Sequence, residues 1–518
     1  MKFKVLQFKY PIGAGAIIRH PWISIPGWVD SPAEFGITPS ERAENAQEYT
    51  GPLSGSAVCL GGASVKNNKL EIHVPKKFTS ERPASMLTRV SYSDISISEH
   101  PLASSLPKET ETPSIQHSPL DFLDLSLGPR SPLCLEDYLK SDIPHMNIHI
   151  VSFKDATLVS VTWPHVLGDI MSASAICEAW SLVMAGRESE VPAFLSAGDE
   201  DILATAGQNP NFSDRHILQG QQLAGVWFLI WVVRYFLDIL LWPNMESHSI
   251  YLPPKAVAKL KAKATMAIKA ELPEAKPSIA SHASPFVSTA DVVFSWIICL
   301  AGRATFPKGS RRSVMIGFPC DVRDRAPSIF PSAKKEVGVW VQNASPPLLT
   351  TVPARDLLAE HGMARVAQSI RHAIITQGTE TQIHAQYRLA RQTYQNNGLP
   401  PLFGDTSQFA INGTNWTKAN FFEKVDFSPA VIKDAGLNDK HGQKRTKNAL
   451  VNGYHARPSR VGKPVYLHAN ELAPPGTHQP LSRNLAYLVG TPAGGYWAVG
   501  KFHPAVWRQV EEALAGLQ

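Results

Sequence analysis

His165 and Asp169 form a His-x-x-x-Asp pattern within VTWPHVLGDIMSASAICEAW, the stretch from Val161 to Trp180. An imidazole that is neutral near pH 7 can take a proton from a hydroxyl or amine and return it to a leaving group, so His165 is a candidate general base. Asp169 stands where a helical pattern begins, and a carboxylate there can cap the helix and pair with a cation. We therefore expect His165 to do chemistry and Asp169 to hold the loop.

The His-x-x-x-Asp spacing carries little weight alone. With 18 histidines in 518 residues, about one such match is expected by chance. A second match, HSPLD from His117 to Asp121, lies in a Pro- and Ser-rich segment with neither a strand before it nor a helix after it. The structure around His165 must therefore decide between a catalytic histidine and an ordinary surface or core histidine.

The residues around His165 predict a strand, a loop and a helix. The preceding stretch NIHIVSFKDATLVSVTW has two alternating apolar runs around a Lys-Asp-Ala-Thr turn, which is typical of a hairpin. After the loop, apolar residues recur at helical spacing, namely Ile170, Ala173, Ile176, Trp180 and Val183. A general base needs a fixed rotamer, and a loop that enters a packed helix supplies one.

Composition excludes several functional classes. The net charge of +6 is spread along the chain without a dense basic block, so no nucleic-acid partner is expected. The five cysteines are far apart and include no Cys-x-x-Cys pair, which argues against a disulfide framework and favours a reducing compartment. The N-terminal residues lack the uninterrupted apolar core of a secretory signal, so we expect a cytoplasmic protein. His145 and His149 have no third ligand nearby in the sequence, so no metal is expected.

The run LAGVWFLIWVVRYFLDILLW, residues 223–242, has the length of a membrane span and is interrupted only by Arg234 and Asp238. These two charges are four residues apart, where they can pair on one helix. A charge pair at the centre of a bilayer is expensive. We therefore expect a packed or interfacial helix, with peripheral membrane contact and a true span as open alternatives.

Strand-like and helix-like segments mix along the whole chain, which predicts an α/β fold, and the length predicts two domains. Two Pro- and Ser-rich stretches, residues 100–119 and 270–286, indicate an exposed loop and a crossover between domains. We expect an N-terminal domain over 1–265, a linker over 266–286 and a C-terminal domain over 287–518.

Several motifs, in chain order, resemble those of the BAHD acyltransferases, which move an acyl group from coenzyme A to a hydroxyl or amine of a specialised metabolite. HVLGD resembles the family's His-x-x-x-Asp site, and FVSTADVVFSWI resembles its helix after the crossover loop. CDVRDR and VWVQNA resemble its Asp-x-Arg-x-Arg segment and the strand that follows. TNWTKANFFEKVDFSPA resembles its Thr-Ser-Trp and Asp-Phe-Gly-Trp-Gly motifs, with Ser428-Pro429-Ala430 in place of Gly-Trp-Gly. Ile170 replaces the usual Gly after the aspartate. The apolar run of residues 223–242 is similar to one in the fungal branch of the family.

This resemblance implies two similar-sized domains of the chloramphenicol-acetyltransferase type, each a mixed β-sheet with flanking helices, joined by a crossover loop. A solvent channel would lie between them, with His165 near its middle. Peptide-synthetase condensation domains share the architecture but carry two consecutive histidines before the spacer. Pro164 takes the first of those places here, which favours a free-standing acyltransferase.

The resemblance also implies roles for other residues. Asp169 would face away from the substrate and pair with Arg323, with Arg325 as the reserve, and Asp426 would support the site structurally. An oxyanion at the reacting carbonyl needs donors. The matching segment offers a hydroxyl, an amide and an indole N–H, on Thr414, Asn415 and Trp416. Core packing is the alternative role for the indole.

The implied co-substrate is acyl-CoA, with acetyl-CoA as the expected donor and no tightly bound cofactor. Its phosphates need basic residues, which one predicted helix supplies as Lys259, Lys261 and Lys263; a solvated helix face is the alternative. The implied activity is acyl transfer by a monomer to a bulky hydrophobic terpenoid, polyketide or alkaloid, with His165 as general base. The alternative function is a catalytically decayed scaffold that binds a metabolite or a membrane surface.

Overall fold

A computed structural model describes most of the chain. The described residues are 11–18, 62–66, 69–73, 78–80, 82–195, 202–271, 286–331, 338–397, 399–431, 450–451, 454–455, 461–472 and 483–518.

These residues form eighteen strands and eleven α-helices. The strands are β1 Pro11–Ile18, β2 Gly62–Lys66, β3 Lys69–His73, β4 Met86–Tyr92, β5 Ser114–Gln116, β6 Asn147–Phe153, β7 Thr157–Pro164, β8 Phe194–Leu195, β9 Glu246–Leu252, β10 Ser313–Pro319, β11 Val339–Trp340, β12 Pro347–Pro353, β13 Phe409–Asn415, β14 Leu450–Val451, β15 Tyr454–His455, β16 Pro464–Glu471, β17 Leu485–Gly490 and β18 Tyr496–Phe502. The helices are α1 Leu123–Ser126, α2 Leu135–Lys140, α3 Ile170–Met184, α4 Gly225–Leu241, α5 Pro254–Glu271, α6 Thr289–Thr305, α7 Ala354–Leu358, α8 Gly362–Gln377, α9 Glu380–Asn397, α10 Phe421–Lys424 and α11 Pro504–Ala515.

A five-stranded mixed sheet carries the strand that leads to His165. Its order is β16-β1-β7-β6-β4, and its neighbours are antiparallel except for β4 and β6. β6 and β7 form the predicted hairpin, in which Ile148 lies opposite Val161 and Ile150 lies opposite Val159. The hairpin prediction is confirmed, as is the helix that follows it, α3.

A seven-stranded mixed sheet forms the other half of the fold, in the order β12-β10-β13-β17-β18-β9-β5. β10, β13 and β17 are parallel neighbours, and the other pairs are antiparallel. α6 lies at the centre of this half and buries nearly all of its residues against the sheet, α5, α8 and α11. The predicted α/β class, with two mixed sheets and flanking helices, is confirmed.

The two sheets exchange strands across the predicted domain boundary. β5 and β9 come from the first half of the chain and complete the seven-stranded sheet, whereas β16 comes from the second half and is an edge of the five-stranded sheet. The predicted boundary after residue 265 falls inside α5. This helix continues past the boundary because its apolar stripe of Leu260, Ala264 and Ile268 packs in the core around α6. Residues 272–285 of the predicted linker lie outside the described residues.

Residues 100–119 are more ordered than their composition predicts. Leu106 is buried, and β5 pairs with β9 at the edge of the seven-stranded sheet. Pairing with β9 satisfies backbone groups that a loop would leave to water. The prediction of an exposed loop was therefore wrong for part of this segment.

α4 covers most of the apolar run, and its two charged residues do not pair with each other as predicted. Asp238 accepts two hydrogen bonds from Arg312, at 2.8 and 2.7 Å, and Arg234 donates to Thr406 Oγ1 at 3.2 Å. The planar guanidinium of Arg312 offers two parallel N–H groups to one carboxylate, which makes it the stronger partner. Within the described part of the chain, no helix has both the length and the apolar character needed to cross a membrane.

Candidate active site

His165 lies on an exposed turn between β7 and α3. The Leu167 N–H closes the turn onto the carbonyl three residues earlier at 3.0 Å, and the Trp163 indole donates to the Gly168 carbonyl at 3.0 Å. From the other half of the fold, the Asn343 side-chain amide donates to the His165 carbonyl at 2.7 Å. These contacts fix the backbone of the turn while the histidine stays accessible to solvent.

Asp169 is buried and caps α3, as predicted. Its Oδ1 accepts hydrogen bonds from the Ser172 backbone and hydroxyl, at 3.1 and 3.2 Å, and from Arg323 at 2.9 Å. Its Oδ2 accepts from Arg323 at 3.1 Å, from the Ala344 N–H at 3.1 Å and from Ser345 Oγ at 2.7 Å. A carboxylate has about four lone-pair sites, so these donors occupy both oxygens and leave none for the histidine.

Arg323 is the cation beside Asp169. Its two Nη atoms hold the carboxylate bidentately, and its Nε donates to the Trp340 carbonyl at 2.9 Å. The reserve candidate, Arg325, donates to the Gly378 carbonyl at 3.1 Å instead. Burial alone would raise the pKa of the Asp169 carboxyl, but the Arg323 charge and the surrounding donors outweigh burial and hold that pKa below its usual range. Asp169 is therefore a charged anchor.

The Asp169 anchor joins the two halves of the fold. Arg323 lies 154 residues further along the chain, in a turn after β10. Arg323 also donates to the Gln342 carbonyl, and the Ser172 hydroxyl lies 2.9 Å from the same oxygen, which ties the first turn of α3 to the segment before β12. The His165 turn lies directly beside this junction.

Sequence reasoning missed four contributors to this junction: Ser172, Asn343, Ala344 and Ser345. Asn343 and Ala344 lie in VWVQNA, whose family resemblance was their only signal. Ser345 carries no local signal, because nothing in the pattern around it identifies an aspartate on a distant element, whereas Ser172 lies three residues after the N-cap Asp169, where capping geometry predicts a contact.

The second His-x-x-x-Asp match has a purely local explanation. Ser118 and Asp121 form a capping box at the start of a short 3-10 helix, and His117 Nδ1 lies 3.3 Å from Asp121 Oδ2. The His117 and Asp121 side chains are 61% and 50% exposed. Asp121 therefore caps a surface turn, whereas Asp169 is buried.

The segment of residues 414–430 follows one face of α3. Three contacts hold it there, and they join Ser174 with Ala419, Glu178 with Lys424 and Ser181 with Asp426. Asp426 also accepts a hydrogen bond from the Ser428 N–H at 3.0 Å, and Phe427 donates to the Gly462 carbonyl at 2.9 Å. The altered Ser-Pro-Ala motif thus forms a closed 3-10 turn, and Asp426 occupies a structural position.

The three predicted oxyanion residues lie at or just after the end of β13. Trp416 is 7% exposed and stacks on Tyr487 with ring centroids 4.6 Å apart, which matches the core-packing alternative. Asn415 Oδ1 accepts from the backbone and side chain of Thr417, so the amide nitrogen is the group that can donate outward. Thr414 is half-buried. Among the described residues, no hydrogen bond joins these three to the histidine.

The three predicted cofactor lysines lie on α5, which packs on α6 and α8. Lys259 donates to the last two backbone carbonyls of the chain, at 3.1 and 2.5 Å, and Lys261 donates to the Val287 carbonyl. Lys263 is exposed. Among the residues that the structure describes, no group of three or more His, Cys, Asp or Glu side chains could hold a metal ion.

An apolar pocket lies next to the His165 turn and encloses about 860 Å³ of empty space, part of which is open solvent. The five-stranded sheet, α3 and the 414–430 segment form its walls. The wall residues include Val159, Val161, Ile176, Trp180, Phe421 and Phe427. Trp163, Leu167 and Gly168 extend the pocket to the turn. His165 is two residues after Trp163 but does not itself line this space.

Gly168 occupies a position without room for a side chain. A Cβ there would lie 2.7 Å from Ser172 Cβ and 2.8 Å from its hydroxyl, which binds Asp169. We expect Gly168→Ala to displace Ser172, to lower the free energy of unfolding by about 1–3 kcal/mol, and to lower activity. Gly220→Ala is the control, because nothing lies within 4 Å of that position. Equal urea midpoints for the two variants would contradict the tight packing of the turn.

Comparisons with known proteins give relatives over most of the chain, although no protein-family model matches it. The chain is similar to O-acetyltransferase PaAT-2 of Phomopsis amygdali, 31% identical over 465 residues that cover 88% of each protein. It is also similar to Acetyltransferase BOT5 of Botryotinia fuckeliana, 31% identical over 465 residues, covering 88% of this chain and 81% of that protein.

Among solved structures, the chain is similar to F. sporotrichioides TRI101 complexed with coenzyme A and T-2. The TM-score is 0.57 with 13% sequence identity, and the match covers 97% of this chain and 94% of that one. At this identity the similarity concerns the fold.

Proposed function

Since this chain belongs to the BAHD-type acyltransferases, we propose that it transfers an acetyl group from coenzyme A to a hydroxyl or amine of a hydrophobic secondary metabolite. The similar proteins are named acetyltransferases, and the similar structure holds coenzyme A and T-2. Within this chain, one observation carries the proposal: His165 is exposed on a turn whose backbone both halves of the fold hold in place.

His165 acts as the general base. One ring nitrogen removes the proton of the acceptor hydroxyl or amine while that oxygen or nitrogen attacks the thioester carbonyl. The tetrahedral intermediate then loses its C–S bond, and the imidazolium returns the proton to the departing thiolate. The products are an ester or amide and free coenzyme A, and no acyl-enzyme is required.

Asp169 positions this turn and takes no part in proton transfer. In a Ser-His-Asp triad the carboxylate binds the imidazole directly. Here both carboxylate oxygens already accept hydrogen bonds from Ser172, Arg323, Ala344 and Ser345. The buried charge therefore acts through the backbone that carries His165.

The amide of Asn415 is proposed as the first donor to the oxyanion of the intermediate. Asn415 is exposed, and its own oxygen is engaged by Thr417, which directs the NH₂ group outward. Thr414 is proposed as a second donor. Trp416 supports both by its stacking on Tyr487, and its indole N–H is a third donor in the proposal.

The α5 lysines are proposed to bind the phosphates of coenzyme A. Lys263 is exposed and available for this role. Lys259 and Lys261 would have to exchange their backbone carbonyl partners for phosphate. Charge attraction toward an anionic co-substrate favours that exchange.

The apolar pocket beside the turn supports a hydrophobic acceptor. Aliphatic and aromatic side chains of the first sheet, α3 and α10 line most of it. Such a lining favours burial of a ligand with large apolar surface. A terpenoid, polyketide or alkaloid alcohol fits this description.

The proposal is tested by incubating the purified protein with acetyl-CoA and a panel of terpenoid, polyketide and alkaloid alcohols and amines. We expect thiol release, followed with a thiol-reactive dye, together with a product heavier by one acetyl group in mass spectrometry. Binding of panel members without thiol release would favour the decayed scaffold instead. Thiol release at the same rate with and without acceptor would indicate thioester hydrolysis and contradict acyl transfer.

A further inference from the structure

The outward face of α4 is apolar apart from one charged residue, Arg234. Every residue of this helix is at least partly exposed. Eight large apolar side chains are between 51% and 74% exposed: Val226, Trp227, Leu229, Val233, Phe236, Leu237, Leu240 and Leu241. A contiguous exposed surface of this kind on a folded protein marks an interaction site.

The inner face of α4 is anchored to the protein by polar contacts. Asp238 pairs with Arg312, Arg234 donates to Thr406, and the Trp242 carbonyl that follows the helix accepts from Arg483. Both charged residues of the helix are thus held by neighbouring segments. α4 therefore differs from an ordinary surface helix, whose apolar stripe faces the core, because its most exposed side chains are apolar.

We propose that the outward face of α4 lies in the interfacial region of a lipid membrane, with the helix axis parallel to the membrane surface. The helix has 17 residues, so it is about 25 Å long, which is shorter than the roughly 30 Å hydrocarbon core of a bilayer. A helix with a broad apolar exposed face, held on its other side by the protein, can take this in-plane orientation.

The width of the apolar face favours lipid over a second copy of the chain. At 100° per residue, the exposed apolar positions from Phe236 to Trp227 cover about 180° of the helix circumference. A single partner helix covers a stripe of only about 100°. A protein interface also has a polar rim that supplies hydrogen bonds, whereas Arg234, which lies within this arc, is the one charged side chain that α4 itself exposes. A lipid surface covers the whole arc and needs no polar rim.

Cations near α4 favour an anionic membrane as the probe. Arg234 on the helix and Arg311, next to the Asp238 partner Arg312, are exposed. Asp405 is also exposed in this region; its carboxylate accepts from Ser313 and interacts with the charge of Arg234, which leaves Arg311 as the cation here that forms no ion pair among the described residues. Trp227 adds an amphipathic ring of the kind that is enriched at membrane interfaces.

The test is flotation of the full-length protein with vesicles of phosphatidylcholine and phosphatidylserine. We expect the wild type to float with the vesicles. Leu240→Glu should partition at least about tenfold more weakly, because it replaces an apolar side chain that lipid would cover with a charged one. Ile375→Glu is the matched control, since Ile375 is 62% exposed on α8. It should float like the wild type.

Three results would overturn the membrane contact. The wild type could stay out of the vesicle fraction, or the Leu240→Glu variant could float as well as the wild type. The third is a dimer in lipid-free light scattering that Leu240→Glu converts to monomer, because a second copy would then cover α4. None of these results depends on the proposed acyl transfer, since flotation needs no substrate and activity can be measured separately with a water-soluble acceptor.

Discussion

Replacement of His165 by alanine should lower acyl transfer by about 10²–10⁴-fold or more, the range that general acid–base catalysis contributes. The fold should survive, because His165 is exposed and its contact with Asn343 uses the backbone carbonyl, which alanine keeps. An exposed substitution of this kind changes stability by about 0.5 kcal/mol or less. Product formation by mass spectrometry and urea unfolding measure the two effects separately.

His117→Ala is the matched control for this experiment. His117 has the same spacing to an aspartate and a similar exposure, but its carboxylate partner caps a surface turn. We expect wild-type transfer from this variant. Full transfer by His165→Ala would dispose of the general-base mechanism, and an equal loss in both variants would show a nonspecific effect.

Asp169→Asn should destabilise the protein by about 1–3 kcal/mol, because the buried Arg323 loses one of its two carboxylate partners and keeps only Asp321, 2.8 Å from Nη1. Asparagine still caps helices well, so the start of α3 loses little. Its NH₂ group, however, would face the Arg323, Ala344 and Ser345 donors at one of the two oxygen positions. Urea unfolding measures the loss, and transfer activity should fall with it because the His165 turn loses its anchor.

Asp426→Asn is the control for Asp169→Asn. Asp426 pairs with Lys463 at 3.7 Å, and its side chain is 40% exposed, so its loss should cost about 1 kcal/mol or less. The double variant Asp169→Asn/Arg323→Met should not recover this stability, because Asp321, the other carboxylate that Arg323 binds, then loses its partner. If Asp169→Asn and Asp426→Asn were equally mild, Asp169 would not be a buried anchor.

The same ion pair predicts a pH dependence of stability. The folded-state pKa of Asp169 lies below its ordinary value of 3.8. The carboxylate therefore contributes stability at pH values above its unfolded pKa, and this contribution disappears as the pH falls through the folded pKa. Wild type should lose more stability than Asp169→Asn between about pH 5 and pH 2, as measured by urea midpoints across that range.

Local sequence patterns were sufficient for the elements that carry the site. Alternating apolar residues predicted the β6–β7 hairpin, and helical spacing after Ile170 predicted α3. The position of Asp169 at the start of that helix predicted its capping role. These features depend on residues within a few positions of each other, so periodicity and capping determine them.

Sequence spacing failed where a distant residue competed for the same partner. The i,i+4 spacing of Arg234 and Asp238 predicted an ion pair, but Arg312, 74 residues away, holds Asp238 in the structure. Composition failed in the same way for residues 100–119, where an edge strand forms because β9 is available. A local preference worth a few tenths of a kcal/mol yields to a bidentate or sheet contact from elsewhere.

By itself, the sequence determined the fold class, the strand-turn-helix unit around His165 and, through family resemblance, Arg323 as the candidate partner of Asp169. Only the tertiary structure decided that Arg325 points elsewhere, that Ala344 and Ser345 complete the anchor, that the sheets exchange strands, and that α4 turns its apolar face outward. The physical reason is that hydrogen-bond geometry and burial depend on which distant elements pack together, and a one-dimensional pattern does not specify that packing.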